Sequence, residues 1–161
     1  GIELLLDAFN KKYINSSIVF LGYGEMEKQL QEIASKSKNI YFHEAVPHEE
    51  VVSITQSADV GLCLIQSVSL SDYYCLPNKL FEYCFAGIPV LASNFPDIVN
   101  VIEQFNLGAT CDLDEKSIVD AIKRYENGAI ETNFKIDDLY ELSWGAQEEK
   151  LQELYETVLN S

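Results

Sequence analysis

Three short stretches hold the side chains and turns whose chemistry could serve a ligand. The richest is 76–90, LPNKLFEYCFAGIPV, where Pro77 followed by the polar Asn78 predicts a helix beginning near residue 78. The first amides of that helix would lack intrahelical partners and would attract an anionic phosphate. Lys79 and Glu82 are one turn apart on one face. Two readings are open for them. They form a surface i, i+3 ion pair contributing about 0.2–0.5 kcal/mol, or Lys79 faces phosphates while the Glu82 carboxylate accepts both hydrogen bonds of a vicinal diol such as ribose. The second stretch, Gly22-Tyr23-Gly24-Glu25, follows a strand and opens a helix, so its amides could approach a phosphate or a sugar ring. Glu27 stands where the G-x-G-x-x-G dinucleotide fingerprint needs its third glycine, which keeps a plain tight turn as the competing reading. The third, Glu44-Ala45-Val46-Pro47, ends another strand and is either a simple turn into a helix or a contact to a base or ring.

These stretches depend on two hydrophobic periods that alternate along the chain. Short apolar, strand-like runs occur at 17–22 (SIVFLG), 39–43 (NIYFH), 58–65 (ADVGLCLI), 88–92 (IPVLA) and 108–111 (GATC). Between them lie helical stripes: Met26, Leu30, Ile33 and Ala34; Val51, Ile54, Thr55 and Ala58; Leu80, Phe81, Cys84 and Phe85; and Ile118, Ala121, Ile122 and Tyr125. Gly87 and Gly128 follow two of them at the position where helices end in the left-handed region. Alternating β and α elements predict an α/β fold, a Rossmann-like doubly wound parallel sheet over residues 1–128 with its site at the carboxyl ends of the strands. The chain nevertheless opens on a helix (Ile2, Leu5, Leu6, Phe9), so the first strand is expected to be missing. The gap should then be closed by collapse of its neighbours, by a strand from a partner, or by residues outside the sequence, because buried unpaired backbone groups cost roughly 1–3 kcal/mol each. After Gly128 comes an acidic irregular stretch and a helix from about 144 to 159 with Leu151, Leu154, Tyr155 and Val158 on one face. Residues 129–161 are thus expected to form a helical extension packing on the body.

Composition narrows the function. A chain of 161 residues, 47% hydrophobic, builds one core. Its formal charge of −15 argues against a nucleic-acid partner, whose affinity rests on neutralised phosphates. Cys63, Cys75, Cys84 and Cys111 have no CxxC spacing and read as reduced, mostly buried thiols; His43 and His48 have no partner at metal-ligand spacing, so no metal site is expected. No apolar run approaches the roughly 20 residues of a membrane span, and GIELLLDAFNKK lacks the pattern of a signal peptide. A cytoplasmic location is the expectation.

The motif PNKLFEYCFAGIPVLAS resembles the signature of the retaining, GT-B-fold glycosyltransferases of group 1 (family 4), in particular bacterial capsule and cell-surface polysaccharide enzymes. GIELLLDAF, VFLGYGEMEKQLQEIA, IYFHEAVPHEEVVSITQSADVGLCLI and LSWGAQEEKLQELYETVL agree in order and spacing, so the resemblance covers essentially the whole chain as a C-terminal, donor-binding domain. It implies a nucleotide-diphosphate-sugar site, with Glu82 on the ribose hydroxyls and the loop Pro77-Asn78-Lys79-Leu80 as the diphosphate cradle. Gly22, Tyr23, Gly24, Ala45 and Val46 complete the expected substrate contacts. The donor would be a UDP- or GDP-sugar, with no cofactor and no obligatory metal. The acceptor, a saccharide or lipid-linked saccharide, would bind mainly to an N-terminal domain, at the inner face of the membrane in the full-length protein. Tyr74 stands where many members carry the first Glu of an E-x7-E motif, and the family's basic Arg-Lys pair would precede Gly1. No catalytic residue is therefore expected within these 161 residues, and the chain alone should not turn over. The alternatives are a GT-B-like sugar-nucleotide epimerase and a non-enzymatic α/β regulatory module. A receiver would need carboxylates at its strand ends, where 58–65 instead runs into Gln66 and Ser67.

Overall fold

In the computed structural model, which describes residues 1–10 and 14–159, the elements alternate as the two periods require. Their order is α1 (Ile2–Asn10), β1 (Ile18–Gly22), α2 (Glu27–Lys36), β2 (Ile40–Glu44), α3 (His48–Thr55), β3 (Gly61–Cys63), α4 (Leu70–Tyr73), α5 (Asn78–Phe85), β4 (Val90–Ser93), α6 (Pro96–Phe105), β5 (Gly108–Cys111), α7 (Glu115–Glu126), a 3-10 turn (Ile136–Leu142) and α8 (Trp144–Leu159).

The strands are parallel but fall into two sheets, β1-β2 and β3-β4-β5. The expected gap falls between β1 and β3. The neighbours do not collapse into one ladder: among the described residues β1 pairs only with β2, and β3 only with β4. Side chains join the halves instead. Ile18 of β1, Ile40 of β2 and Leu30 of α2 share one apolar cluster with Leu5, Leu6 and Phe9 of α1, Leu91 of β4, and Ile118 and Ile122 of α7. β4 is buried along its whole length, as a strand covered on both faces must be. Its residues alternate between two layers. Leu91 faces the α1 and α7 side, while Val90 and Ala92 meet Leu80 and Cys84 of α5, Ile98 and Ile102 of α6, and Leu139 of the 3-10 turn.

α5 owes its seat to a close approach. A Cβ added at Gly61 of β3 would overlap the ring of Tyr83, so only glycine lets that ring lie flat on the strand. The Tyr83 hydroxyl donates a long 3.4 Å hydrogen bond to the Leu62 carbonyl. β3 itself is shorter than its apolar run. Its ladder stops at Cys63, and beyond it the buried Ser93 hydroxyl accepts from the Ile65 amide (2.7 Å) and donates to the Ile65 carbonyl (3.0 Å), in place of strand pairing.

At the other end of the core, the Glu126 carboxylate closes α7 onto the entry to β1. It accepts from the amides of Asn15 and Ser16, each at 2.7 Å, and from the Ser16 hydroxyl at 2.8 Å. The extension meets the body at its start. Leu139 is fully buried and Ser143 caps α8 by accepting from the Ala146 amide at 3.2 Å. Beyond Ala146 the helix stands off, and Leu151, Leu154, Tyr155 and Val158 are exposed. The expected packing of 129–161 is thus corrected to its first half, because α8 touches mainly the 3-10 turn and leaves its apolar stripe uncovered.

Two outcomes test these supports. Gly61→Ala must displace the Tyr83 ring and should destabilise the protein by about 1–3 kcal/mol, read as a lower urea midpoint, whereas Tyr83→Phe should be nearly neutral. Although partial burial opposes it, hydrogen bonds from Ser16 and Asn15 hold the Glu126 carboxyl below its ordinary value of 4.5. A depressed carboxyl stabilises the fold above its unfolded value and loses that contribution as pH falls through the folded one. Glu126→Gln should therefore lower stability at pH 7 by about 1 kcal/mol, and the variant's stability should fall less than the parent's as acid is added below that value.

Candidate functional site

A pocket of about 270 Å³ opens at the carboxyl ends of β1 and β2, lined by Leu21, Gly22, Tyr23, Ala45, Val46, Val51 and Glu82. Each wall has a local cause. β1 ends at Gly22, and both Gly22 (φ 148°) and Gly24 (φ 155°) take backbone angles that an L side chain rarely adopts, so the chain turns sharply and holds Tyr23 out at the rim. β2 ends at Glu44, and Ala45 and Val46 cross the top of the strand before Pro47 starts α3. α3 packs on α5, which brings Val51 and Glu82 to one cavity.

Within α5 the residue types sort by face. Leu80 and Cys84 are fully buried in the core and Tyr83 lies on Gly61, so Glu82 is left half-buried on the pocket side. Pro77 precedes the helix with no capping side chain, leaving the first-turn amides without one. They stand about 6 Å from Glu82 along the helix axis at the usual rise. Asn78 and Lys79 are exposed on that first turn. No ion pair joins Lys79 to Glu82 among the described residues, which removes the bland explanation of their spacing.

The sequence-predicted contacts thus divide. Gly22, Tyr23, Ala45, Val46 and Glu82 meet around one cavity. Gly24 stands at the turn beside it, and Pro77, Asn78 and Lys79 lie one helical turn away from Glu82. Leu80 requires a correction: its side chain is wholly enclosed in the core and cannot touch a ligand, since position 80 falls on the face of α5 turned to the sheet. Leu21 and Val51 were not singled out as site residues, and their signals were positional: the last side chain before the glycine turn, and the α3 residue one turn after Pro47.

The thiols nearest α5 are poor nucleophiles. Burial pushes Cys63 up to about 11 and Cys84 up to about 12, so both stay neutral. Among the described residues no group of three or more His, Cys, Asp or Glu could hold a metal ion, and no helix is long and apolar enough to cross a membrane. A larger depression, about 550 Å³ between Asn106 and residues 130–133, lies toward the amino ends of the strands, opposite to where sheets of this type bind ligands.

Residues 1–127 match the family model described as Glycosyl transferases group 1. No curated protein matches the chain.

The two neighbours on the first turn of α5 should separate cleanly on mutation. Leu80→Ala empties a filled core position and should cost about 2–5 kcal/mol in a denaturant titration. Lys79→Ala, exposed and unpaired with Glu82, should leave stability within about 0.5 kcal/mol.

Proposed function

The chain belongs to the group 1 glycosyltransferases, and we propose that it is the donor half of a retaining enzyme that takes a sugar from a UDP- or GDP-sugar. The observation that supports this reading is the meeting of Gly22, Tyr23, Ala45 and Val46 with the single carboxylate of Glu82 around one pocket at the strand ends. The base sits by the turn after β2, where main-chain groups at Ala45 and Val46 can read its edge. The ribose diol donates two hydrogen bonds to Glu82. One helical turn on, the diphosphate reaches the first amides of α5 and the Lys79 ammonium, through which the helix dipole favours negative charge.

In this arrangement the protein acts mostly on the leaving group. As the bond between the anomeric carbon and the bridging oxygen of the distal phosphate breaks and an acceptor hydroxyl oxygen bonds to that carbon, negative charge grows on the departing diphosphate, which takes up the hydroxyl's proton. Amides and a cation already aimed there stabilise that charge, so the transfer has no obligatory need of a metal. The acceptor is a saccharide or lipid-linked saccharide held mainly outside this chain, in polysaccharide or glycolipid synthesis on the cytoplasmic side of a membrane. These 161 residues alone then bind donor without turning it over, because acceptor and donor must be positioned from opposite sides.

Calorimetric titration with uridine and guanosine diphosphates tests the reading. Charge-assisted hydrogen bonds contribute about 1.5–3 kcal/mol, so Glu82→Gln should weaken the preferred nucleotide roughly ten- to hundredfold, and Glu82→Ala further. Binding by Glu82→Gln equal to that of the parent would show the carboxylate to be structural and overturn the assignment.

A further inference from the structure

We propose that the side chain of Tyr23 is a stacking lid for the nucleobase, supplying affinity while other groups supply base identity; this rests on the nucleotide reading above. Tyr23 is 88% exposed at the rim of the pocket. Among the described residues its ring and hydroxyl have no partner, so neither packing nor a hydrogen bond explains an aromatic side chain there. An aromatic ring left in water gains substantially when a flat surface covers it.

The surroundings say what kind of surface that is. Leu21, Val46 and Val51 give the pocket an apolar side, and Glu82 is its one charged lining residue. A ligand that satisfies both is flat and apolar at one end and carries hydroxyls at the other, which is the chemistry of a nucleoside. Glycines flank Tyr23 on both sides, and a Cβ added at either would meet nothing within 4 Å, so no neighbouring group crowds the turn at those two positions. Aromatic stacking tolerates every base because every base has a π face. Tyr23 therefore holds the base without naming it, and discrimination falls to the main chain near Ala45 and Val46.

The test compares ligands with and without a base on the same chain. Tyr23→Ala should weaken uridine diphosphate and guanosine diphosphate by similar factors, roughly ten- to hundredfold, while Tyr23→Phe and Tyr23→Trp keep parental affinity. Ribose 5-diphosphate, which keeps the diol and the phosphates but has no base, should bind the parent and Tyr23→Ala alike. An unchanged melting temperature for Tyr23→Ala, expected of so exposed a residue, separates lost stacking from lost fold. If Tyr23→Ala binds the nucleotides as tightly as the parent while Glu82→Gln does not, stacking is wrong and the nucleotide site stands. If the parent binds neither nucleotide, both proposals fall together. Equal loss of ribose 5-diphosphate affinity in Tyr23→Ala would also overturn stacking, because the residue would then act on the sugar or phosphates.

Discussion

The close contact between Gly61 and the ring of Tyr83 sets the position of α5 and of the carboxylate it brings to the pocket. A side chain at residue 61 would lift α5 from β3, and with it the one carboxylate of the pocket. Because Tyr83 is pressed to the strand and Leu80 and Cys84 enter the core, the helix has no rotational freedom about its axis. Glu82 is consequently turned toward the ends of β1 and β2, and the uncapped first turn comes with it. Burial and pocket geometry are here one constraint: the same three neighbours that exclude water from the sheet aim the polar residue between them.

Polar groups inside the core are held to the same standard. No buried side-chain nitrogen or oxygen among the described residues lacks a hydrogen-bond partner. Ser93 illustrates how the fold manages this. Where β3 can no longer pair with β4, a hydroxyl serves both backbone groups of Ile65, and the chain is released toward α4 without leaving buried amides orphaned. Hydrophobicity alone would have continued the strand to Ile65. The hydrogen-bond accounting ends it at Cys63.

Much of this was legible because strand and helix periods differ so plainly. β5 carries the expected bounds 108–111, β1 and β2 lie within a residue of theirs, and the helix after Pro77 starts at Asn78. α6 escaped notice although its signals are ordinary: Pro96 at its start, Ile98 and Ile102 a turn apart, and Asn106 in the left-handed conformation (φ 52°) at its end. A parallel connection between β4 and β5 demands such a crossover, so topology would have found what periodicity passed over. α4 was likewise written in the sequence, as Ser69 and Asp72 capping each other. Leu80 was misjudged for a different reason. A motif marks a stretch of chain, whereas contact with a ligand depends on the side of the helix, and only the packing of α5 reveals which side faces the sheet. The convergence of Val51 with Glu82 was beyond reach, since it depends on the tertiary packing of α3 on α5.

The pocket straddles the division of the sheet. Leu21, Gly22, Tyr23, Ala45 and Val46 lie on or just after β1 and β2, Val51 lies on α3, and Glu82 lies on α5, which packs on β3 and β4. No backbone ladder crosses between the halves among the described residues; apolar side-chain packing joins them, with the Glu126 carboxylate of α7 bonded to the entry of β1 at the far end of the core. A molecule bridging from Tyr23 to Glu82 is then a cross-link as well as a cargo. It adds directional bonds at the strand-end side of the core, opposite the Glu126 contact, and by mass action it stabilises the joined state of the two halves.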